Sequence, residues 1–216
     1  MELGNYELFC NELNEAIRIF PNLSIKEEKD KKILKGILDI YNDESIIVGN
    51  YLIEIHFKNG FPFRFPHLFE IGGAIPNEPD WHKYQDASCC ITVLPDEILK
   101  CKGKVGVVEF IKKYCCSFFA NHIHRKKTGN YLNGCYSHGS HGYREFYSEL
   151  LKTNDTTLWI QYFKHVFISA IFLTDRNSAC FCKSGSKFKH CHKMIFDSMW
   201  EIGRDQLYLD FKTILL

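Results

Sequence analysis

Four residues near the end of the chain have the types and the spacing of a metal site: Cys180, Cys182, Cys191 and His192. They form two pairs, Cys-x-Cys and Cys-His, that are separated by eight residues. Thiolate and imidazole are donors that zinc prefers, and tetrahedral binding by two pairs requires the chain to reverse between them. Ser184-Gly185-Ser186 supplies such a reversal because glycine tolerates positive φ angles. We therefore predict one structural zinc ion whose four positions are all filled by protein, which leaves no open position for a substrate.

Other interpretations of this cluster stay open from the residues alone. The cysteines could be a chance group of free thiols, and His190 could replace His192 as the fourth ligand. Lysines also surround the cluster, which raises nucleic acid as a ligand: Lys183, Lys187, Lys189 and Lys193. Four lysines would bind a phosphate backbone weakly and with a strong salt dependence. Nucleic acid is therefore not an expected partner.

The cluster and its surroundings resemble the SEC-C motif, a small zinc module of many bacterial proteins. The likeness covers residues 180–192, including Ser184-Gly185 and Lys187-Phe188-Lys189, with Lys183 in place of the first glycine of the usual Gly-Ser-Gly. The resemblance favours His192 over His190 as the fourth ligand. It implies a module that stabilises the fold and docks protein partners, and in some family members nucleic acid.

A second candidate for chemistry is the pair Cys89-Cys90, which follows a long stretch rich in glycine and proline. A cysteine that accepts an acyl group must be partly exposed and backed by polar groups that stabilise the oxyanion. His82, Tyr84 and Asp86 are close enough in sequence to provide that setting. The residues alone give only a weak signal for this chemistry, and they favour the alternative that both thiols are core residues beside Ile91 and Val93.

The elements that must position these residues follow from the apolar pattern. Tyr6, Phe9, Leu13 and Ala16 repeat at helical spacing, and Tyr51, Ile53 and Ile55 alternate as in a strand. We predict helices over 5–19, 107–122, 143–151, 158–173 and 194–211, strands over 33–41, 51–57 and 67–71, an extended segment over 61–65, and an irregular, packed loop over 72–86. The charged run from Lys26 to Lys32 predicts a solvated turn.

This order predicts an α+β fold. It would consist of an N-terminal helix, a four-stranded antiparallel meander, a long active-site loop and C-terminal helices, with a small helical zinc-knuckle unit. The order resembles the ubiquitin-conjugating (UBC) fold, and residues 51–57 (YLIEIHF) and 61–66 (FPFRFP) resemble the apolar strand and the aromatic-proline stretch of that family. Residues 86–91 lie where the family has Gly-x-Ile-Cys-Leu, which implies that Cys90 is the nucleophile. The family's oxyanion-stabilising Asn lies eight residues earlier, where this chain has His82. Asn77 of Pro76-Asn77 is the alternative, and we prefer His82.

Bacterial relatives of this family, from operons of cyclic-oligonucleotide antiphage signalling, carry His-x-Tyr-x-Asp-Gly-x-x-Cys. His82, Tyr84, Asp86 and Cys90 match this pattern, with alanine in place of the glycine. A downstream Gly-x-x-Ser-His-Gly-x-x-Gly pattern of the relatives is matched by residues 134–142. The histidines of that segment, His138 and more weakly His141, are candidates for a proton shuttle to Cys90 because imidazole titrates near neutral pH. A histidine in a glycine-rich turn often only caps backbone groups.

The resemblance covers about residues 5–152 and implies a catalytic domain over 1–152, followed by a helical region over 153–216 that carries the zinc motif. It implies a transferase in antiviral defence, in which Cys90 forms a thioester with the C-terminus of a partner protein and passes it to an amine. The chain has no glycine-rich phosphate loop, so a separate activating partner or a preformed acyl donor is required. A nucleotidyltransferase is the modified protein that the resemblance suggests. The alternatives are a non-catalytic docking module of the same fold and a Cys-His hydrolase.

Composition limits the partners, the location and the cysteine chemistry that we expect of this chain. A net charge of +1 over 216 residues gives no reason to expect binding to nucleic acid or to a membrane surface. We expect a cytoplasmic protein, because the chain starts without a signal-peptide pattern and has no apolar run of about 18 residues. Ten cysteines then argue for metal binding or thiol chemistry. Five of them lack ligand spacing and are expected to be ordinary thiols: Cys10, Cys101, Cys115, Cys116 and Cys135.

Overall fold

The computed structural model describes residues 2–132, 135–169, 175–182 and 184–215. The chain forms two compact units. Unit 1 comprises Met1–Thr92 and Lys100–Cys135, and unit 2 comprises Val93–Leu99 and Tyr136–Leu216. No helix in the described part of the chain combines the length and the apolar character that crossing a bilayer requires.

Unit 1 begins with a long helix, α1 (Glu2–Ile19), which is followed by a four-stranded sheet. The strands are β1 (Leu23–Glu28), β2 (Lys31–Tyr41), β3 (Ile47–His56) and β4 (His67–Glu70), in the spatial order β1-β2-β3-β4. All neighbouring strands pair antiparallel, so the sheet is a meander. The predicted mixed α+β architecture, with its N-terminal helix, four-stranded antiparallel sheet and C-terminal helices, is confirmed.

The core of unit 1 follows the predicted periodicities. Phe9 and Leu13 of α1 are fully buried, as are alternate residues of β3, namely Ile53 and Ile55. After α2 (Leu94–Cys101), which the sequence did not predict, a helical stretch consists of α3 (Val107–Glu109), a π-helical segment (Phe110–Cys115) and α4 (Cys116–Thr128). The five cysteines without ligand spacing are buried or half-buried, as expected.

Two sequence predictions in unit 1 were wrong. The charged run 26–32 is not one turn: Glu27 pairs with Lys32 across β1 and β2, and only Lys29 and Asp30 lie between the strands. β1 is an edge strand, where charged side chains face water and protect the edge from further pairing. Residues 61–65 are not one extended segment: residues 61–64 form turns and bends, in which the amide of Phe63 donates to the carbonyl of Gly60 at 2.8 Å, and Phe61 and Phe65 are buried in the core.

Unit 2 is helical. It contains the first residues of α2, then α5 (Ser140–Leu151), α6 (Thr156–Ser169), α7 (Phe188–Cys191), α8 (Lys193–Ile202) and α9 (Arg204–Leu215). Its core includes the fully buried Tyr147, Val166, Met199 and Leu207. Unit 2 thus includes α5. The boundary predicted after residue 152 separates a catalytic domain from the region that carries the zinc motif, and this functional division stays a prediction.

The predicted single helix over 194–211 is broken at Gly203. This residue has a φ of 89°, which glycine adopts without strain and which ends α8 before α9 begins. The predicted end of the 158–173 helix lies outside the described residues, as do Gly134 and Lys183 of the two motifs.

Candidate functional site

The four predicted zinc ligands of unit 2 come together. One ligand atom from each of Cys180, Cys182, Cys191 and His192 lies within 4.8 Å of all the others. The Sγ atoms of Cys182 and Cys191 are 3.6 Å apart, and Nδ1 of His192 is 3.1 Å from Sγ of both Cys180 and Cys191. Tetrahedral zinc with bonds of about 2.0–2.3 Å spaces its donors by roughly 3.5–3.8 Å. The donor set therefore fits a single zinc ion.

Local backbone structure explains how the two ligand pairs meet. The amide of Cys180 donates to the carbonyl of Ser186 at 2.9 Å, and the amide of Phe188 donates to the carbonyl of Ser178 at 2.9 Å. These bonds close the reversal around Gly185, whose φ of 78° lies in the left-handed region. The short helix α7 then carries Cys191 back beside the first pair. His190 is exposed and is not a member of the cluster.

The surroundings of two of the thiols change their pKa values in opposite directions. Hydrogen bonding by Ser184 lowers the pKa of Cys182 to about 7, so this thiol loses its proton near neutral pH. Burial raises the pKa of Cys180 to about 11. Because zinc binds the thiolate, uptake of the metal releases the remaining protons, and the site must fill less readily as the pH falls.

The predicted nucleophile, Cys90, lies in unit 1 at the end of the irregular loop. It is half-buried, and its amide donates to the carbonyl of His82 at 2.8 Å. Its Sγ lies within 4.8 Å of a ring nitrogen of His82. The structure therefore places these two predicted residues side by side, at a distance that a small movement or one water molecule could close.

The neighbouring Cys89 has a different environment. Its amide donates to the carbonyl of Leu68 at 2.8 Å, and its backbone pairs with Lys83. Its side chain packs against the core of unit 1, and burial raises its pKa to about 12. Of the two adjacent thiols, Cys89 is thus the one that packs against the core, and the role of Cys90 as nucleophile stays a prediction.

The loop that leads to Cys90 is held by a buried ion pair that sequence reasoning missed. Nζ of Lys83 lies 2.5 Å from Oε2 of Glu70, with 1% and 0% of the two side chains exposed. Glu70 also accepts hydrogen bonds from the amides of Gly72, Ala74 and Ile75. One signal was present in the sequence: Glu70 is two residues after Leu68 in a strand, so alternation places its side chain on the inner face.

Two other predicted residues of this loop make hydrogen bonds within it. Asp86 is exposed and accepts bonds from the amide and the hydroxyl of Ser88, at 3.0 and 2.6 Å. These bonds lower the pKa of Asp86, so it is ionised and shapes the turn before Cys90. Asn77 exchanges hydrogen bonds with Gln85, at 3.4 and 2.7 Å, which brace the loop across eight residues.

The remaining candidate, His138, belongs to unit 2 and lies just before α5. Ser137 beside it bonds Glu145 of α5 through both its amide and its hydroxyl, each at 2.6 Å. A Cβ added to Gly142 would lie 1.9 Å from the carbonyl oxygen of Ser137, so this position requires glycine. The second motif thus fastens a turn to the start of α5, and the shuttle role of His138 stays a prediction.

An aromatic and basic cluster surrounds His82 in unit 1. The His82 ring meets Tyr131 edge-on at 5.1 Å, and Tyr131 meets His122 edge-on at 5.3 Å. The guanidinium of Arg125 lies 4.0 Å from the ring centre of Trp81 and 4.7 Å from that of Tyr131. Burial lowers the pKa of His122 to about 3, and neither of its ring nitrogens has a hydrogen-bond partner among the described residues. Apart from His82, sequence reasoning did not single out these residues.

Comparison with known proteins identifies one segment of the chain. The SEC-C motif matches residues 176–193, which include all four members of the zinc cluster. No curated protein matches the chain, and no solved structure matches it.

Two alanine substitutions test whether His192 or His190 is the fourth zinc ligand. We expect the wild type to hold one zinc ion per chain, and His192→Ala to lose affinity by more than the roughly 10–100-fold that removal of an outer-shell partner costs. His190→Ala, two residues away, should keep wild-type affinity. Metal content by mass spectrometry and titration against a chromophoric chelator measure both. Equal losses in the two variants would make His190 a ligand and contradict the assignment.

The environment of His122 predicts an acid-sensitive fold. Its folded-state pKa of about 3 lies below the ordinary value of 6.5, so the unfolded chain takes up the proton first as the pH falls. The stability linked to His122 is therefore complete above pH 6.5 and declines from there toward pH 3, by at most about 1.4 kcal/mol per pH unit.

His122→Phe should therefore lose about 2 kcal/mol less stability than the wild type between pH 7 and pH 5. Urea unfolding at the two pH values measures this difference. His124→Phe, on the same helix, is the control and should lose as much stability as the wild type. An equal loss in His122→Phe would show that the buried imidazole does not cause the acid sensitivity.

Proposed function

We propose that this chain is a UBC-like conjugating transferase, in which Cys90 carries a thioester to the C-terminus of a partner protein and transfers the acyl group to an amine. The observation that carries the proposal is the placement of Cys90: a half-buried thiol with its sulfur within 4.8 Å of a ring nitrogen of His82. The order of elements in unit 1, a helix and a four-stranded meander followed by a braced loop, also supports it.

The chemistry needs two acyl transfers. In the first, the Cys90 thiolate attacks an activated carbonyl of the donor, a new S–C bond forms, and the donor's leaving group departs. In the second, an amine attacks the thioester, the C–N bond forms, the C–S bond breaks, and the thiolate of Cys90 is restored. The proton released by the amine passes to water or to His82. In both steps His82 is the group placed to stabilise the oxyanion.

The proposal implies protein partners. Because the chain lacks a phosphate-binding loop, a separate enzyme or a preformed thioester must supply the activated acyl group. We place the reaction in bacterial antiphage defence, in the cytoplasm, with a nucleotidyltransferase as the candidate for the modified protein. The zinc knuckle serves as a docking or stabilising element, since its four donors leave no position for a substrate.

A second function, a non-catalytic docking module of the same fold, is favoured by one observation. Four apolar residues at the β2–β3 turn are exposed, by 57% at Tyr41, 56% at Ile46, 50% at Ile47 and 37% at Val48. Exposed apolar clusters of this kind mark interaction surfaces. A docking module needs no reactive thiol, so the chemistry of Cys90 distinguishes the two functions.

Co-expression with the genes that neighbour its own tests the proposal. The wild type should carry a covalent adduct that an added thiol releases by exchange at the thioester carbonyl and that a phosphine reductant, which cleaves only disulfides, leaves in place. Cys90→Ser should carry a more stable oxygen ester that the thiol does not release. Cys89→Ser should behave as the wild type, because the proposal assigns the thioester to Cys90 alone and the half-buried Cys89 packs against the core. Intact mass spectrometry of the non-reduced proteins measures all three and identifies the donor by its mass. An adduct that persists in Cys90→Ala would contradict the proposal, and a folded wild type without any adduct would favour the docking module.

A further inference from the structure

The zinc cluster of unit 2 has a neighbour that lies outside the SEC-C motif. The hydroxyl of Tyr162, on α6, is hydrogen-bonded to Nε2 of His192. The two rings lie against each other, with their centres 5.1 Å apart, and only 6% of Tyr162 is exposed. Tyr162 is 14 residues before the first residue of the matched segment 176–193.

The two nitrogens of the His192 ring therefore have different partners. Nδ1 faces the thiol sulfurs of Cys180 and Cys191, each 3.1 Å away, and Nε2 faces Tyr162 on the opposite side of the ring. A neutral imidazole carries one proton, and the hydrogen bond made by one nitrogen decides which tautomer is present. When Nε2–H donates to the tyrosine oxygen, the lone pair of Nδ1 is left for the metal.

We propose that Tyr162 is a positioning residue of the zinc centre, which holds His192 in the tautomer and orientation that direct Nδ1 to the metal. Outer-shell partners of metal-bound histidines commonly act in this way. Here the outer-shell residue is Tyr162 of α6, which lies outside the SEC-C segment 176–193. The inference rests on the donor set of the zinc cluster and is independent of the chemistry proposed for Cys90.

Helix α6 also packs against Phe181 of the zinc-binding segment. Phe181, between the first two ligands, meets Tyr162 edge-on at 5.8 Å and stacks on His165 of α6 at 4.5 Å. Phe181 also contacts Phe196 of α8, with ring centres 5.4 Å apart. Metal binding is thereby connected to the helical core of unit 2, because the ligands and the aromatic residues that surround them share one cluster.

Tyr162→Phe tests the inference, since it removes the hydroxyl and keeps the ring. We expect zinc affinity to fall by about 10–100-fold, measured by competition with a chromophoric chelator. Tyr147→Phe is the matched control. It also removes a buried tyrosine hydrogen bond from unit 2, the 2.6 Å bond to Asp210, but it lies outside the zinc cluster and should leave zinc affinity unchanged.

A second measurement needs no variant. Long-range proton–nitrogen NMR correlations of the zinc-loaded wild type should show His192 protonated at Nε2 and metal-bound through Nδ1. The inference would be overturned if Nε2 were the metal-bound nitrogen. It would also be overturned if Tyr162→Phe bound zinc as tightly as the wild type, or if Tyr147→Phe lost as much affinity as Tyr162→Phe. In the last case the loss would come from general weakening of the core.

Discussion

The carboxylate of Glu70 and the ammonium group of Lys83 lie 2.5 Å apart inside unit 1, with almost no exposure to solvent. Glu70 accepts three further bonds from the backbone amides of residues 72, 74 and 75, and Lys83 donates to the carbonyl of Ile75 at 2.9 Å. Such a pair gives little net stability compared with apolar residues, but removing one partner leaves a buried charge and costs about 3–5 kcal/mol. Its effect is therefore to specify one arrangement of a loop whose regular secondary structure is limited to one turn of 3-10 helix, Pro79–Trp81.

The position of the candidate nucleophile depends on that arrangement. Lys83 follows His82 directly, and its backbone pairs with that of Cys89. The next amide, that of Cys90, bonds the carbonyl of His82. Once the side chain of Lys83 is fixed in the core, these backbone bonds place Cys89 against the sheet and leave Cys90 next to the imidazole. The backbone contacts of Cys89 with Lys83 and of Cys90 with His82 thus give two adjacent cysteines different environments.

The sequence predicted the features that depend on local pattern and missed those that depend on tertiary pairing. The apolar repeats of α1 and β3 were sufficient for the helix, the strand and their buried faces, and the spacing of Cys180 to His192 was sufficient for the zinc cluster. The edge strand β1 was missed because its charged residues interrupt the alternation of apolar and polar residues that identifies a strand in sequence. The Glu70–Lys83 pair was missed because 12 residues of mostly irregular loop separate its members, and no local rule joins them.

Iodoacetamide labelling of the folded protein, followed by peptide mass spectrometry, measures whether the Glu70–Lys83 pair gives the two cysteines different environments. We expect Cys90 to be modified well before Cys89, because burial raises the pKa of the Cys89 thiol to about 12. The difference should shrink in Lys83→Met. It should persist in Lys113→Met, which breaks an exposed ion pair with Glu109. If Cys89 were modified as fast as Cys90 in the wild type, the two thiols would not differ in environment. If Lys83→Met kept the full difference, the buried ion pair would not be its cause.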